Sequence, residues 1–164
     1  MLWWLFVTIV GAASPKPWDG KSSDVVVERT VDASVDVLVP RLADLTFAEG
    51  IFPPECVSDW AHGSVSSGPG AIGRVTYTMG AMRRRLTAEV TRVEDHVVEY
   101  DHEGKKGFIT QWRLSPDGDG TAISLGTYIN APPWPFRGMY FKKIHPEWMR
   151  CYEQTLENLV RALP

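Results

Sequence analysis

The hydrophobic rhythm of this chain changes period several times, and each change predicts an element. Asp24-Val25-Val26-Val27-Glu28-Arg29-Thr30-Val31 is β-branched and partly alternating, which predicts a strand. After Asp32-Ala33-Ser34 the spacing turns helical, with Val35, Leu38, Val39, Leu42 and Leu45 on one stripe and Ser34 placed as N-cap. Pro40 removes a backbone hydrogen bond from that stretch, so the helix is expected to be short, kinked or split in two. Phe47 to Pro54 reads as a second short helical turn and a loop closed by Pro53-Pro54.

From Val57 the period falls to two. Val57 to Val65 makes a poor strand, and Ser66 to Gly73 is a glycine-rich turn. Arg74 to Met79 alternates cleanly, and Arg85 to Val93 carries Leu86, Ala88 and Val90 on one side. Val97 to His102 is a short strand, followed by a hairpin loop at Gly104-Lys105-Lys106-Gly107. Phe108, Thr110, Trp112 and Leu114 share one face of the next strand, Asp117 to Gly120 is a turn, and Thr121 to Asn130 places Ile123, Leu125 and Ile129 together. A proline-rich corner, Pro132-Pro133-Trp134-Pro135, precedes a long amphipathic helix from Pro146 to Leu163, striped by Trp148, Tyr152, Leu156, Leu159 and Leu163.

Strands at hairpin spacing cannot form parallel β-α-β units, so the sheet is antiparallel. Its apolar face needs a cover, and the terminal helix is the only large one. The pattern therefore predicts an α+β fold: a curved antiparallel sheet of about six to seven strands, two short helices and one long C-terminal helix gripping the sheet. Such a grip can enclose a hollow suited to an apolar molecule.

Residues 1–22 stand apart from the predicted domain at 23–164. Met1 to Val10 (MLWWLFVTIV) is apolar except for Thr8, and is shorter than the roughly 20 residues a spanning helix needs. Gly11 and Ala13 supply small residues where a signal peptidase would cut, yet no Lys or Arg precedes the apolar run. Three readings stay open: a secretory signal, a short membrane-associated segment, and a misplaced start codon. A true signal at residues 1–13 implies export or membrane association; otherwise the protein is cytoplasmic. Ser14 to Ser23 is a Pro/Gly/Ser-rich linker.

With 164 residues there is mass for one domain and its core. The net charge of −3 argues against a nucleic-acid partner, which needs concentrated Lys and Arg. Seven tryptophans suit cores and pocket walls equally. Cys56 and Cys151 make no disulfide framework and read as small buried hydrophobes, free to pair if the protein is exported.

The opening Val27 to Asp36, Gly70-Ala71-Ile72-Gly73-Arg74-Val75, Gly107 to Leu114, Trp134-Pro135-Phe136-Arg137-Gly138, His145-Pro146-Glu147-Trp148 and Leu156-Glu157-Asn158-Leu159 resemble phrases of the helix-grip fold. That is the SRPBCC superfamily of START-type lipid-transfer domains, birch-pollen-allergen-like proteins and bacterial polyketide cyclase/dehydrase-like proteins. The resemblance runs from about residue 24 to the end and carries no catalytic signature. It implies a cavity between sheet and helix for a lipid, polyketide or similar molecule, which some members carry and others cyclise or dehydrate.

His62, His96, His102 and His145 show no metal spacing, and no cofactor motif occurs. In Asp101-His102-Glu103 neighbours alternate faces, so the trio reads as surface charge. Arg83-Arg84-Arg85 with Lys105, Lys106, Lys142 and Lys143 reads as a solvated, aggregation-resistant edge, or else as a contact for an anionic membrane or acyl carrier. Candidate ligand contacts are Tyr77, Met79, Phe108, Trp112, Tyr128, Trp148 and Tyr152, with His62 as a titratable group near a pocket mouth. Tyr128 alternates out of phase with Ile123 and Ile129. Catalytic residues and oligomeric state stay open.

Overall fold

The computed structural model describes residues 25–94, 96–102, 108–128 and 134–164. The hydrophobic N-terminal segment, the linker, the Gly104 to Gly107 hairpin loop, Ile129 and the first prolines of the corner lie outside the described residues. Among the described residues seven strands are present: β1 (Val25–Val31), β2 (Val57–His62), β3 (Ile72–Met79), β4 (Met82–Glu94), β5 (Val97–His102), β6 (Phe108–Asp117) and β7 (Gly120–Tyr128). They form one antiparallel sheet in the order β1-β7-β6-β5-β4-β3-β2. Consecutive hairpins carry the chain from β2 to β7, and β1 closes against β7. Register shifts between Ser58 and Ala61 and between Val90 and Arg92 supply bulges, which bend a sheet.

The helical stripe after Ser34 divides into α1 (Val35–Leu42) and α2 (Leu45–Ile51). Pro40 sits inside α1, which stops two residues later. Ser34 occupies the N-cap position but caps through its carbonyl alone, which accepts from Val37 and Leu38 N–H at 3.1 Å. The side-chain cap is on α2, where the Asp44 carboxylate accepts from Thr46 N–H at 2.8 Å. That cap starts α2 two residues before the expected turn at Phe47.

The C-terminal helix begins earlier than its proline suggests. Arg137–Met139 (α3) runs through a π-helical turn, Tyr140–Ile144, into α4 (His145–Ala162). Pro146 lies in the first turn of α4, where its missing N–H costs nothing. The face of α4 with Trp148, Cys151, Tyr152, Thr155, Leu156 and Leu159 is buried, and the helix packs against β1, β7 and α2. No helix among the described residues is long and apolar enough to cross a membrane.

One expectation changes. Cys56, just before β2, is bonded to Cys151 in the second turn of α4, so the pair is a cross-link and not two separate apolar fillers. Arg83, Arg84 and Arg85 are exposed; they pair with Thr78, Tyr77 and Thr76 of β3 and lie outside the β4–β5 register, which begins at Ala88. Arg83 also pairs with Asp59 at 3.3 Å.

Candidate functional site

The inner face of the sheet follows from strand alternation. Val75, Tyr77 and Met79 on β3, Val98, Tyr100 and His102 on β5, Thr110, Trp112 and Leu114 on β6, and Ile123, Leu125 and Thr127 on β7 are all buried. Most of these are apolar, and the exceptions join one another. Tyr77 Oη lies 3.3 Å from both ring nitrogens of His102. His102 Nε2 is 3.1 Å from Thr110 Oγ1, and Thr110 Oγ1 is 3.0 Å from Tyr152 Oη. This polar chain links β3, β5, β6 and α4 through the interior.

Electrostatics keep the chain uncharged. Burial lowers the His102 pKa to about 3, so the imidazole is neutral at physiological pH. Burial also raises the Tyr77 and Tyr152 phenols above their ordinary value of 10.0. Among the described residues no Lys, Arg, Asp or Glu is buried. Four neutral groups that satisfy one another inside an apolar shell are tolerable, whereas losing one partner strands the rest.

An aromatic box surrounds the chain. The Phe108 ring is 4.3 Å from the His102 ring, 5.1 Å from Tyr77 and 4.9 Å from Trp148, edge-on to the last two. Trp148 stacks on Tyr77 at 6.0 Å and meets Tyr152 edge-on at 5.5 Å. Phe108 is only partly buried although its neighbours are enclosed. The Trp148 indole N–H is buried without an acceptor.

Of the residues expected at a site, Tyr77, Phe108, Trp148 and Tyr152 come together here. Trp112 and Met79 are fully buried on the same face; Trp112 meets Phe52 edge-on at 6.2 Å, and Phe52 in turn meets Tyr152. His62 is elsewhere: it binds Glu49 at 2.7 Å and stacks on Trp60 at 5.9 Å, at the β2 edge beside α2. Tyr128 pairs with Ile109 through the backbone, and its side chain lies outside the described residues. No group of three or more His, Cys, Asp or Glu among the described residues could hold a metal ion.

His102 is the correction that matters most. Reading Asp101-His102-Glu103 as surface charge weighs its neighbours and passes over its phase. His102 shares its parity with Val98 and Tyr100, both buried, and it is itself fully buried. Thr110 has its face assigned by the same rule, but its role needs a partner across the sheet.

A family model described as polyketide cyclase / dehydrase and lipid transport matches residues 22–164. Solved structures share the fold. The KanY protein superposes with a TM-score of 0.73 at 20% identity, covering 84% of this chain and 94% of that one. TTHA0849 from Thermus thermophilus gives 0.65 at 18%, with the same coverages of 84% and 94%. Major latex-like protein 151 from Panax ginseng gives 0.61 at 8%, covering 86% and 97%. At such identities the likeness is one of fold. A sequence search of curated proteins finds no match. The inner-face geometry, the terminal helix laid over it and the match across nearly the whole domain place this chain in the polyketide cyclase / dehydrase and lipid transport family of the SRPBCC superfamily.

Proposed function

We propose that this protein binds a hydrophobic small molecule, a lipid, polyketide or similar metabolite, between the inner sheet face and α4, and holds it unchanged. The observation that supports this reading is the Tyr77, Phe108 and Trp148 aromatic box seated on a neutral polar chain. Small-molecule sites combine apolar walls with a few convergent polar groups. Carriage is favoured over catalysis by the state of His102. A general base works best with a pKa near the operating pH, and burial has taken this imidazole down to about 3.

A second reading, a polyketide-cyclase-like enzyme, draws support from the same constellation. One imidazole and two phenols, the second reached through Thr110, are group types that aldol ring closure and loss of water can use as acid and base. Solvent extraction of freshly purified protein with mass spectrometry separates the two. Carriage predicts a stoichiometric hydrophobic compound that stays unchanged on incubation and is lost from a folded Trp148→Arg variant. Conversion of the compound during incubation supports the enzyme. Failure to recover any compound, with no binding of added hydrophobic probes, refutes both.

A further inference from the structure

We propose that the interior site selects an uncharged molecule through an acceptor oxygen, such as a ketone or ester carbonyl, with Trp148 Nε1 and Tyr77 Oη as the donors that read it. The proposal rests on the hydrophobic-binding reading above and names its ligand chemistry.

The first support is Trp148. Its side chain is 1% exposed and its indole N–H has no acceptor. An indole N–H can only donate, and a buried donor left unpaired is costly, so the partner it lacks is an acceptor. The ring that carries this N–H lies against Tyr77 and Phe108, and the proposal seats the acceptor at that aromatic box.

The second support is proton counting. Tyr77, neutral His102, Thr110 and Tyr152 carry one mobile hydrogen each, and three contacts join them. One hydrogen is therefore left over, at the Tyr77 end or at the Tyr152 end. Near Tyr152 the Thr127 hydroxyl, which gives its own hydrogen to the Ile109 carbonyl at 2.7 Å, has a lone pair to offer. At the Tyr77 end an incoming acceptor can take it. An acceptor oxygen brought to Tyr77 thus draws the surplus hydrogen to that end, with each link reversing in turn.

The third support is charge. With no buried cation among the described residues, a carboxylate would lose its water and gain no counter-charge. A neutral carbonyl loses far less on entry.

The test uses three naphthalenes of matched shape, titrated by calorimetry at about pH 8: 2-acetylnaphthalene, 2-isopropenylnaphthalene, in which =CH2 replaces =O, and 2-naphthoate. The expected result is ketone binding about ten-fold tighter than the alkene, with the naphthoate weakest. The ketone-to-alkene ratio should fall to about one in Trp148→Phe, and should fall also in Tyr77→Phe, which serves if the first variant does not fold. Equal ketone and alkene affinity, or tightest binding of the naphthoate, overturns this proposal and leaves hydrophobic binding standing. Binding of none of the three overturns both.

Discussion

Breaking the Cys56–Cys151 bond should loosen the grip at a defined point. The bond joins positions 95 residues apart, tying the segment between α2 and β2 to the second turn of α4. In the chain-entropy account, cross-linking a loop of about 100 residues stabilises by roughly 4–5 kcal/mol, and removing native disulfides typically costs about 2–5 kcal/mol. Other ties at this point are weak. Arg150 reaches Glu55 at 3.6 Å, but both side chains are well exposed and such pairs contribute little. Asn158 Nδ2 donating to the Ile51 carbonyl at 2.9 Å adds about 1 kcal/mol. The bond is thus the covalent tie between α4 and this side of the fold, added to the packing of α4 on α2 and of Tyr152 on Phe52. At about 2–4 °C per kcal/mol for a chain of this size, a loss of about 4 kcal/mol lowers Tm by roughly 8–16 °C. Calorimetric melts of oxidised protein with and without reductant, and of a Cys56→Ala/Cys151→Ala variant, measure it. Two free thiols in protein prepared under oxidising conditions, or oxidised and reduced melts within about 2 °C, would refute the reasoning.

Further predictions concern the polar chain and its supports. His102 stays neutral in the folded protein with its pKa at about 3, against 6.5 unfolded, so the unfolded chain binds the extra proton between those values. Its contribution is complete above about pH 6.5 and is lost as pH falls toward 3; urea melts should show this acid slope flattened in His102→Gln, and an unchanged slope contradicts it. Thr110→Val keeps the shape but removes the link between His102 Nε2 and Tyr152 Oη, at a cost of about 1–3 kcal/mol by urea denaturation. Gly80 turns the β3–β4 hairpin at φ 59°, and a Cβ there would lie 3.3 Å from the Lys143 carbonyl. Gly80→Ala should therefore destabilise by about 1–2 kcal/mol in the same assay, and a neutral result would contradict the hairpin geometry.

Much of this fold is local, and local patterns carry it into the sequence. Period two on Arg74 to Met79 and Phe108 to Leu114 marks the strands and their inner faces, so Tyr77, Phe108 and Trp112 can be placed without knowledge of strand pairing. Trp148 and Tyr152 follow from four-residue spacing on a helix that has one face to hide. What stays illegible depends on pairs distant in the chain. His102 has acidic neighbours that argue for solvent; its parity with Val98 and Tyr100 marks its face, but its partner Tyr77 is 25 residues away in the chain. The contact between Thr110 and Tyr152 spans 42 residues, and the cysteine bond spans 95. His62 is a candidate by residue type alone, and the β2 edge takes it to Glu49 instead.

The most direct test of the central claim is 19F NMR of protein carrying 5-fluorotryptophan, with each signal assigned by single Trp→Phe substitution. Trp148 faces the proposed occupant, whereas Trp134 is 88% exposed on the turn before α3. Adding 2-acetylnaphthalene or the extracted native compound should shift the Trp148 resonance and leave Trp134 unmoved. Saturating binding that moves Trp134 and leaves Trp148 in place would contradict an interior site.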